Sequence, residues 1–234
     1  IIRVFEEHQI DGVIHFAGLK SISDSITRPI DYYNNNVSNT INLLEVMRQF
    51  NCKIFVFSST ASIYGDSKVQ PISENFPLSP SNPYGRSKLV VENILKDILD
   101  SEDAWRVAIL RYFNPIGAHS SGLIGESSLQ PPNNIMPIVL DVASRKKKKL
   151  KIFGNDYPTP DGTGIRDYIH VMDLAKAHIK AFQAIINGMK LIEVNIGTGK
   201  GHSVFDLIKT FEITSGIAIP CEIMPRRSGD VAIC

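Results

Sequence analysis

Tyr84 and Lys88 stand four residues apart in the run Asn82-Pro83-Tyr84-Gly85-Arg86-Ser87-Lys88. On a helix, that spacing puts a phenol and an ammonium on one face. An ammonium beside a phenol favours the phenolate and draws its pKa from about 10 toward neutrality. A phenolate tuned in this way is a general base for a hydroxyl group. Spacing alone does not choose the pair, because Tyr64 and Lys68 are equally far apart. Tyr64-Gly65-Asp66-Ser67-Lys68 has turn composition, however, and no helical pattern follows it. Asn82 is a good N-cap and Pro83 suits the first helical position. Val91, Ile94, Leu95, Ile98 and Leu99 then supply a core face. The hydroxyl-rich run Ser58-Ser59-Thr60 follows an apolar segment that should neighbour this helix. A hydroxyl there can bond both a substrate hydroxyl and the Tyr84 oxygen, although most Ser/Thr runs of this kind are plain loops.

Alternating strand-like and helix-like segments must position these groups. Gly12 to Ala17 and Lys53 to Phe57 read as buried strands, with a helix from Val37 to Phe50 between them. A helix from Pro83 to Leu99 and a strand from Val107 to Phe113 follow. Two strand–helix–strand units predict an α/β fold with a doubly wound, Rossmann-like parallel sheet. The chain from Pro115 to Asn134 reads as a loop rich in Gly, Ser and Pro. Beyond it come a helix from Ile135 to about Arg145, a strand at Leu150 to Phe153 and a turn-rich loop from Gly154 to Gly164. A helix at Met172 to Ile186, a strand at Leu191 to Ile196, a helix at Ser203 to Thr214 and a strand near Ile219 to Ile223 complete the pattern. Ligands in such sheets bind at the carboxyl ends of the strands. Gly18-Leu19-Lys20, Ser58-Ser59-Thr60 and Asn114-Pro115 occupy those ends and predict one crevice.

Composition excludes several classes. Among 234 residues, 43% are hydrophobic and 21% charged, which predicts a packed core rather than disorder. A formal net charge of +1 provides no field to gather nucleic acid or a membrane surface. No apolar run approaches the ~18 residues of a membrane helix. Cys52, Cys221 and Cys234 are few, scattered and odd in number, which points to a reducing cytoplasm. No Cys/His cluster has metal-ligand spacing, so no metal is expected. Ile1 is not a start methionine, and Ile2, Phe5 and Ile10 read as one face of a helix already under way. The sequence is therefore expected to be part of a longer chain.

Longer motifs carry a resemblance. FAGLK (16–20), YYNNN (32–36), SSTASIYG (58–65) and NPYGRSK (82–88) resemble the extended short-chain dehydrogenase/reductase family. RYFNPIGAH (111–119), PNNIMP (132–137), IFGNDYPTPDGTGIRDYIHVMDLA (152–175) and PRRSGD (225–230) narrow it to the UDP-glucose 4-epimerase branch. The likeness spans the whole chain. It implies an NAD-binding domain at 1–114, lacking the family's first strand and glycine-rich turn. It also implies a smaller portion at 115–234 that mainly binds a UDP-sugar and interleaves with the sheet.

The implied activity is reversible 4-epimerisation through transient oxidation at sugar C4 by tightly bound NAD. By resemblance, Tyr84 is the base, Lys88 holds the nicotinamide ribose and tunes Tyr84, and Thr60 is a proton relay. Phe16, Ala17, Gly18, Lys20, Asn35, Ser58, Tyr112 and Phe113 match cofactor positions, together with Tyr84 and Lys88. Asn114, Asn134, Ile135, Phe153, Arg166, Arg227 and Asp230 match UDP-sugar positions. Arginines suit a diphosphate, and an aspartate can accept from ribose hydroxyls. The resemblance further implies a homodimer. In the enzymes this chain resembles, the fourth residue after the aspartate matched by Asp230 borders the sugar pocket; that place is Cys234 here, and the resemblance implies that a small residue there leaves room for an N-acetyl group.

Other readings remain beside this one. A 4,6-dehydratase would carry Asp-Glu after the relay residue, where this chain has Ala61-Ser62. A decarboxylase of the same fold, or a non-catalytic UDP-sugar-binding fragment, is a further alternative. Gly197-Thr198-Gly199-Lys200-Gly201 imitates a dinucleotide fingerprint, but its third glycine would fall at His202, so it reads as a tight turn. The run at 145–151 (RKKKKLK) reads as a solvated helix end. His170 reads as a packed core histidine.

Overall fold

A computed structural model describes residues 1–67, 69–127, 132, 134–227 and 229–234. Lys68, half of the alternative Tyr–Lys pair, and Asn133 of the PNNIMP motif lie outside these. The chain forms two compact units. The first comprises 1–65, 73–112 and 174–196; the second comprises 66–72, 113–173 and 197–234.

The first unit holds a four-stranded parallel sheet in the order β1 (Val13–His15), β2 (Ile54–Thr60), β3 (Arg106–Tyr112) and β7 (Leu191–Ile196). Side chains alternate across β2 and β3, so each strand feeds two cores. Phe55 and Phe57 of β2, with Val107 and Ile109 of β3, pack on α4 (Asn39–Gln49) and α5 (Pro83–Ser101). Val56, Ala108 and Leu110 face away and pack on Ala181 and Ile185 of α7 (Val171–Ile186). A parallel sheet covered on both faces accounts for apolar runs without alternation.

β2 is longer than its apolar run predicts. It continues through Ser58 and Ser59 to Thr60, paired with Leu110, Arg111 and Tyr112. The three residues expected just after the strand are its end, because their backbone groups are held by the β3 ladder. Helical structure also begins earlier than predicted. After α1 (Ile2–Glu7), α2 (Ile22–Thr27) and α3 (Pro29–Tyr33), a π-helical turn at Asn34–Ser38 runs into α4. The polar residues of this stretch mask its helical period.

The second unit has its own core. Val139 and Val142 of α6 (Ile135–Ala143) pack with Leu150 and Ile152 of β5 (Leu150–Phe153) and Leu207 and Ile208 of α8 (Val204–Ser215). β5 pairs in parallel with β9 (Cys221–Met224). A second sheet joins β4 (Asn114–Ile116), β6 (Ile165–His170) and β8 (Gly201–Ser203). Sequence patterning shows none of these last three strands. They are short, and β4 contains a proline.

α5 is docked by fully buried Val91 and Leu95 and nearly buried Leu99. Leu95→Ala is expected to cost about 2–5 kcal/mol of stability, the range for emptying a buried leucine site. Urea unfolding of the variant against the wild type measures it.

Candidate active site

Asn82 caps α5, its Oδ1 accepting from the Gly85 amide at 2.9 Å. The helix start lies close against the turn after β2. A Cβ added to Gly85 would meet the Ser62 carbonyl oxygen at 2.8 Å, so only glycine permits this approach. Thr60 begins that turn. Its Oγ1 accepts from the Ser62 amide at 3.1 Å, and the hydroxyl stands beside the Tyr84 phenol, where it acts to lower the phenol's pKa.

The charge arrangement differs from the sequence expectation. Burial raises the Tyr84 pKa above 10; the Thr60 hydrogen bond opposes this, and the nearby Tyr32 adds to it. Lys88 is not among the groups that shift it. The lysine ammonium is aimed elsewhere, donating to the Ser58 carbonyl at 2.9 Å and lying 4.8 Å from the centre of the Phe57 ring. A shared helix face fixes where two side chains start, not where their tips go. Lys88 is 5% exposed, and burial lowers its own pKa to about 8.

The alternative tyrosine is structural. Tyr64 ends a short 3₁₀ turn and is buried, its hydroxyl bonded to Asn195 at 2.8 Å and to the Arg111 guanidinium at 3.1 Å.

The residues matched to a cofactor lie in the first unit, apart from Phe113, which belongs to the second. Phe16 to Lys20 lie exposed beyond the carboxyl end of β1. The Leu19 amide donates to Asn35 Oδ1 at 3.2 Å and Asn36 Oδ1 at 2.8 Å. Asn36 also donates to the Leu19 carbonyl and to Ser87 Oγ on α5. The π-helical turn brings both carboxamides to the same amide, and such turns often mark functional positions. Sequence reading chose Asn35 from the run Asn34-Asn35-Asn36 and missed the buried Asn36.

His178 was missed as well. Its Nδ1–H donates to the Leu174 carbonyl at 2.8 Å, and its Nε2 accepts from the Tyr112 hydroxyl at 3.2 Å. Its ring lies 4.7 Å from that of Phe16. Burial lowers its pKa, which keeps it neutral and able to accept.

In the second unit, Phe153, Arg227, Asp230 and Arg166 come together around Tyr157. Arg227 lies over the Phe153 ring at 5.0 Å, and its Nε donates to Asp230 at 2.9 Å. Arg226 lies over the Tyr157 ring at 4.2 Å and donates to the Asp156 carboxylate at 2.8 Å. Arg166 is committed differently from the expectation. Its Nη groups donate to the carbonyls of Ile165, Val231 and Ala232, pinning the last residues against β6. There the Cys234 amide donates to the Ile165 carbonyl at 3.0 Å. Arg166 thus holds Cys234 in place, and its charge acts on the thiol. Asn134 precedes α6 and donates to Glu126 at 2.5 Å. Ile135 packs into the core of this unit, and Asn114 opens β4.

Two minor readings are settled by contacts. The Gly197–Gly201 turn does gather amides around an anion, but the anion is the chain's own Asp167. Its carboxylate accepts from the Thr198 amide at 2.8 Å and the Gly199 amide at 2.7 Å. His170 is exposed rather than packed in a core, and its Nδ1 accepts from the Met172 amide at the start of α7. Among the described residues no His/Cys/Asp/Glu group could hold a metal, and no helix is long and apolar enough to cross a membrane.

Residues 1–197 match the model of the NAD dependent epimerase/dehydratase family. The chain belongs to this family. It is 50% identical over 231 residues to UDP-glucose 4-epimerase of Bacillus subtilis, covering 99% of this chain and 68% of that protein. It is 52% identical to UDP-glucose 4-epimerase 2 of Oryza sativa, covering 99% of this chain and 57% of the rice protein. The chain thus spans between 57% and 68% of the length of these two relatives. Among solved structures it is similar to UDP-glucose 4-epimerase from Bifidobacterium longum in complex with NAD+ and UDP. That likeness has a TM-score of 0.94 at 48% identity and covers 100% of this chain and 70% of the other. The Stenotrophomonas maltophila UDP-glucose-4-epimerase with bound NAD and formylated UDP-arabinopyranose gives 0.93 at 46% identity, covering 99% and 69%.

The first unit of this family member fits the family's nicotinamide cofactor. Ser58 Oγ is buried beside the Tyr112 phenol without a hydrogen bond of regular geometry. A Cβ on Gly18 would stand 3.2 Å from the Lys88 ammonium, so glycine keeps this approach open.

The lowered Lys88 pKa predicts a pH-dependent stability. Between about pH 8 and 10.5 the unfolded lysine binds a proton that the folded one has lost. Stability therefore rises with pH across that window, by about 3 kcal/mol in total for a shift of this size. The difference in urea midpoint between wild type and Lys88→Met, followed from pH 8 to 10, is expected to change in the wild type's favour. A flat difference contradicts the burial of a titrating Lys88.

Proposed function

We propose that the enzyme bearing this chain interconverts UDP-glucose and UDP-galactose, with Tyr84 as the base at the sugar 4-hydroxyl. The observation that carries this reading is the Thr60 hydroxyl set beside the Tyr84 phenol next to the buried Lys88, in a chain half identical to UDP-glucose 4-epimerases. The first unit is read as the cofactor domain and the second as the UDP-sugar domain. NAD, when bound, supplies reversible hydride acceptance at C4.

The chain's own groups handle the proton. Thr60 is the neighbour that favours the Tyr84 phenolate, to which its hydroxyl can donate. From the phenolate form, Tyr84 takes the proton leaving the 4-hydroxyl, directly or through the Thr60 hydroxyl, and becomes a neutral phenol. Lys88 holds its ammonium at the Ser58 carbonyl, where a ribose hydroxyl can share it. In the second unit Arg227 presents its Nη groups to a diphosphate while Asp230 orients its Nε. Resemblance supports a homodimer, and the scattered cysteines support a cytoplasmic setting.

Tyr84→Phe in the intact enzyme is expected to lower kcat by at least ~100-fold, the scale of a lost general base. UDP affinity should persist. Arg227→Ala should weaken UDP binding by about 1.5–3 kcal/mol, the range for a charged hydrogen bond. Titration calorimetry with UDP measures this, and unchanged affinity would remove Arg227 from the diphosphate site.

The substrate range is read from Cys234. Its backbone is fixed to β6 beside Arg166, and a thiol there leaves volume that a tyrosine ring would fill. The enzyme is therefore proposed to take UDP-GlcNAc and UDP-GalNAc as well. Cys234→Tyr should abolish turnover of UDP-GalNAc while sparing UDP-galactose. A wild-type enzyme inert toward UDP-GalNAc would end the idea.

A further inference from the structure

We propose that Glu92 is a positioning residue that sets the register of α5 on β2 and, through it, the placement of Tyr84 against Thr60. This rests on the assignment of Tyr84 and Thr60 above. Glu92 follows Tyr84 by eight residues and Lys88 by four, so all three share one helix face. Its side chain is fully buried. Oε1 accepts from Ser59 Oγ at 2.5 Å and from Arg111 Nε at 3.2 Å, and Oε2 accepts from Arg111 Nη2 at 2.7 Å.

Ser59 is the residue between the two that α5 already contacts. The helix thus meets three consecutive residues of β2: Lys88 at the Ser58 carbonyl, Glu92 at the Ser59 hydroxyl and Tyr84 at the Thr60 hydroxyl. Apolar packing by Val91 and Leu95 holds the helix to the sheet but is tolerant of sliding. The Glu92 bond is directional and admits one axial position. A buried carboxylate is also not needed for adhesion, since hydrophobic replacements of buried ion pairs are often as stable or more so. Directional specificity is what the charge adds. Arg111 makes the carboxylate tenable here. It is 2% exposed and extends the network to Tyr64, the Glu74 carbonyl and Glu193 at 2.9 Å.

Two mild substitutions test this in the intact enzyme with its cofactor. Ser59→Ala removes the strand side of the bond and leaves the ion pair whole. Glu92→Met keeps a side chain of similar length but removes the acceptor, and Arg111 remains paired with Glu193. Each is expected to lower kcat roughly 10- to 100-fold, as small misplacements of reacting groups do. KM for UDP-galactose should stay within about twofold and bound NAD should be retained. The double variant should be no slower than the worse single one, because both break the same bond. Either variant with wild-type kcat overturns the proposal. So does a loss of kcat accompanied by an equal rise in KM or by loss of NAD, which marks general loosening. Tyr84→Phe is assayed alongside. If it is as active as wild type, the reading of the site fails and this proposal with it. If it is inactive while both test variants turn over normally, only the role of Glu92 falls.

Discussion

The attachment of α5 to the carboxyl end of β2 is the constraint on which the first unit depends. Three polar side chains of the helix reach three successive residues of the strand, while Val91, Leu95 and Leu99 bury the same face against Phe55 and Phe57. Packing supplies most of the favourable energy, since apolar burial is non-directional and scales with area. The polar contacts supply position. A helix free to shift by a fraction of a turn would keep its core and lose the placement of Tyr84 against Thr60.

Burial explains why this arrangement behaves differently from its parts. Tyr84, Lys88, Tyr112 and His178 all shift toward their neutral forms because their surroundings hold little water. Water that would stabilise charge is replaced by fixed partners: the Thr60 hydroxyl for Tyr84, the Ser58 carbonyl for Lys88 and the Leu174 carbonyl for His178. Such preorganised groups need little rearrangement when charge moves. The second unit uses another device. Arg226 and Arg227 are each laid on an aromatic ring and tied to a nearby aspartate, which limits the freedom of two long side chains.

Much of this was legible in the residues. The Asn82-Pro83 start placed Tyr84 on a capped helix, and the uninterrupted apolar runs gave a parallel sheet covered on both faces. The failures share a cause. β4, β6 and β8 are three to six residues long and carry polar or proline positions, so no period marks them. The direction of Lys88 was misread because spacing gives Cβ neighbours, whereas the ammonium follows a buried carbonyl. The apolar neighbours of His170 suggest core, whereas its exposed ring serves a helix start. Asn36, His178 and Glu92 act through partners distant in sequence, which no local pattern displays.

The central claim is that Thr60 and Tyr84 form one proton-handling unit. A double-mutant cycle on epimerisation by the intact enzyme tests it most directly, using Thr60→Val, Tyr84→Phe and the pair. Residues that act as a unit lose activity non-additively. The account predicts that the double variant turns over about as slowly as Tyr84→Phe alone, with UDP affinity preserved throughout. Losses in kcat that multiply across the cycle would show two independent contributions and contradict it.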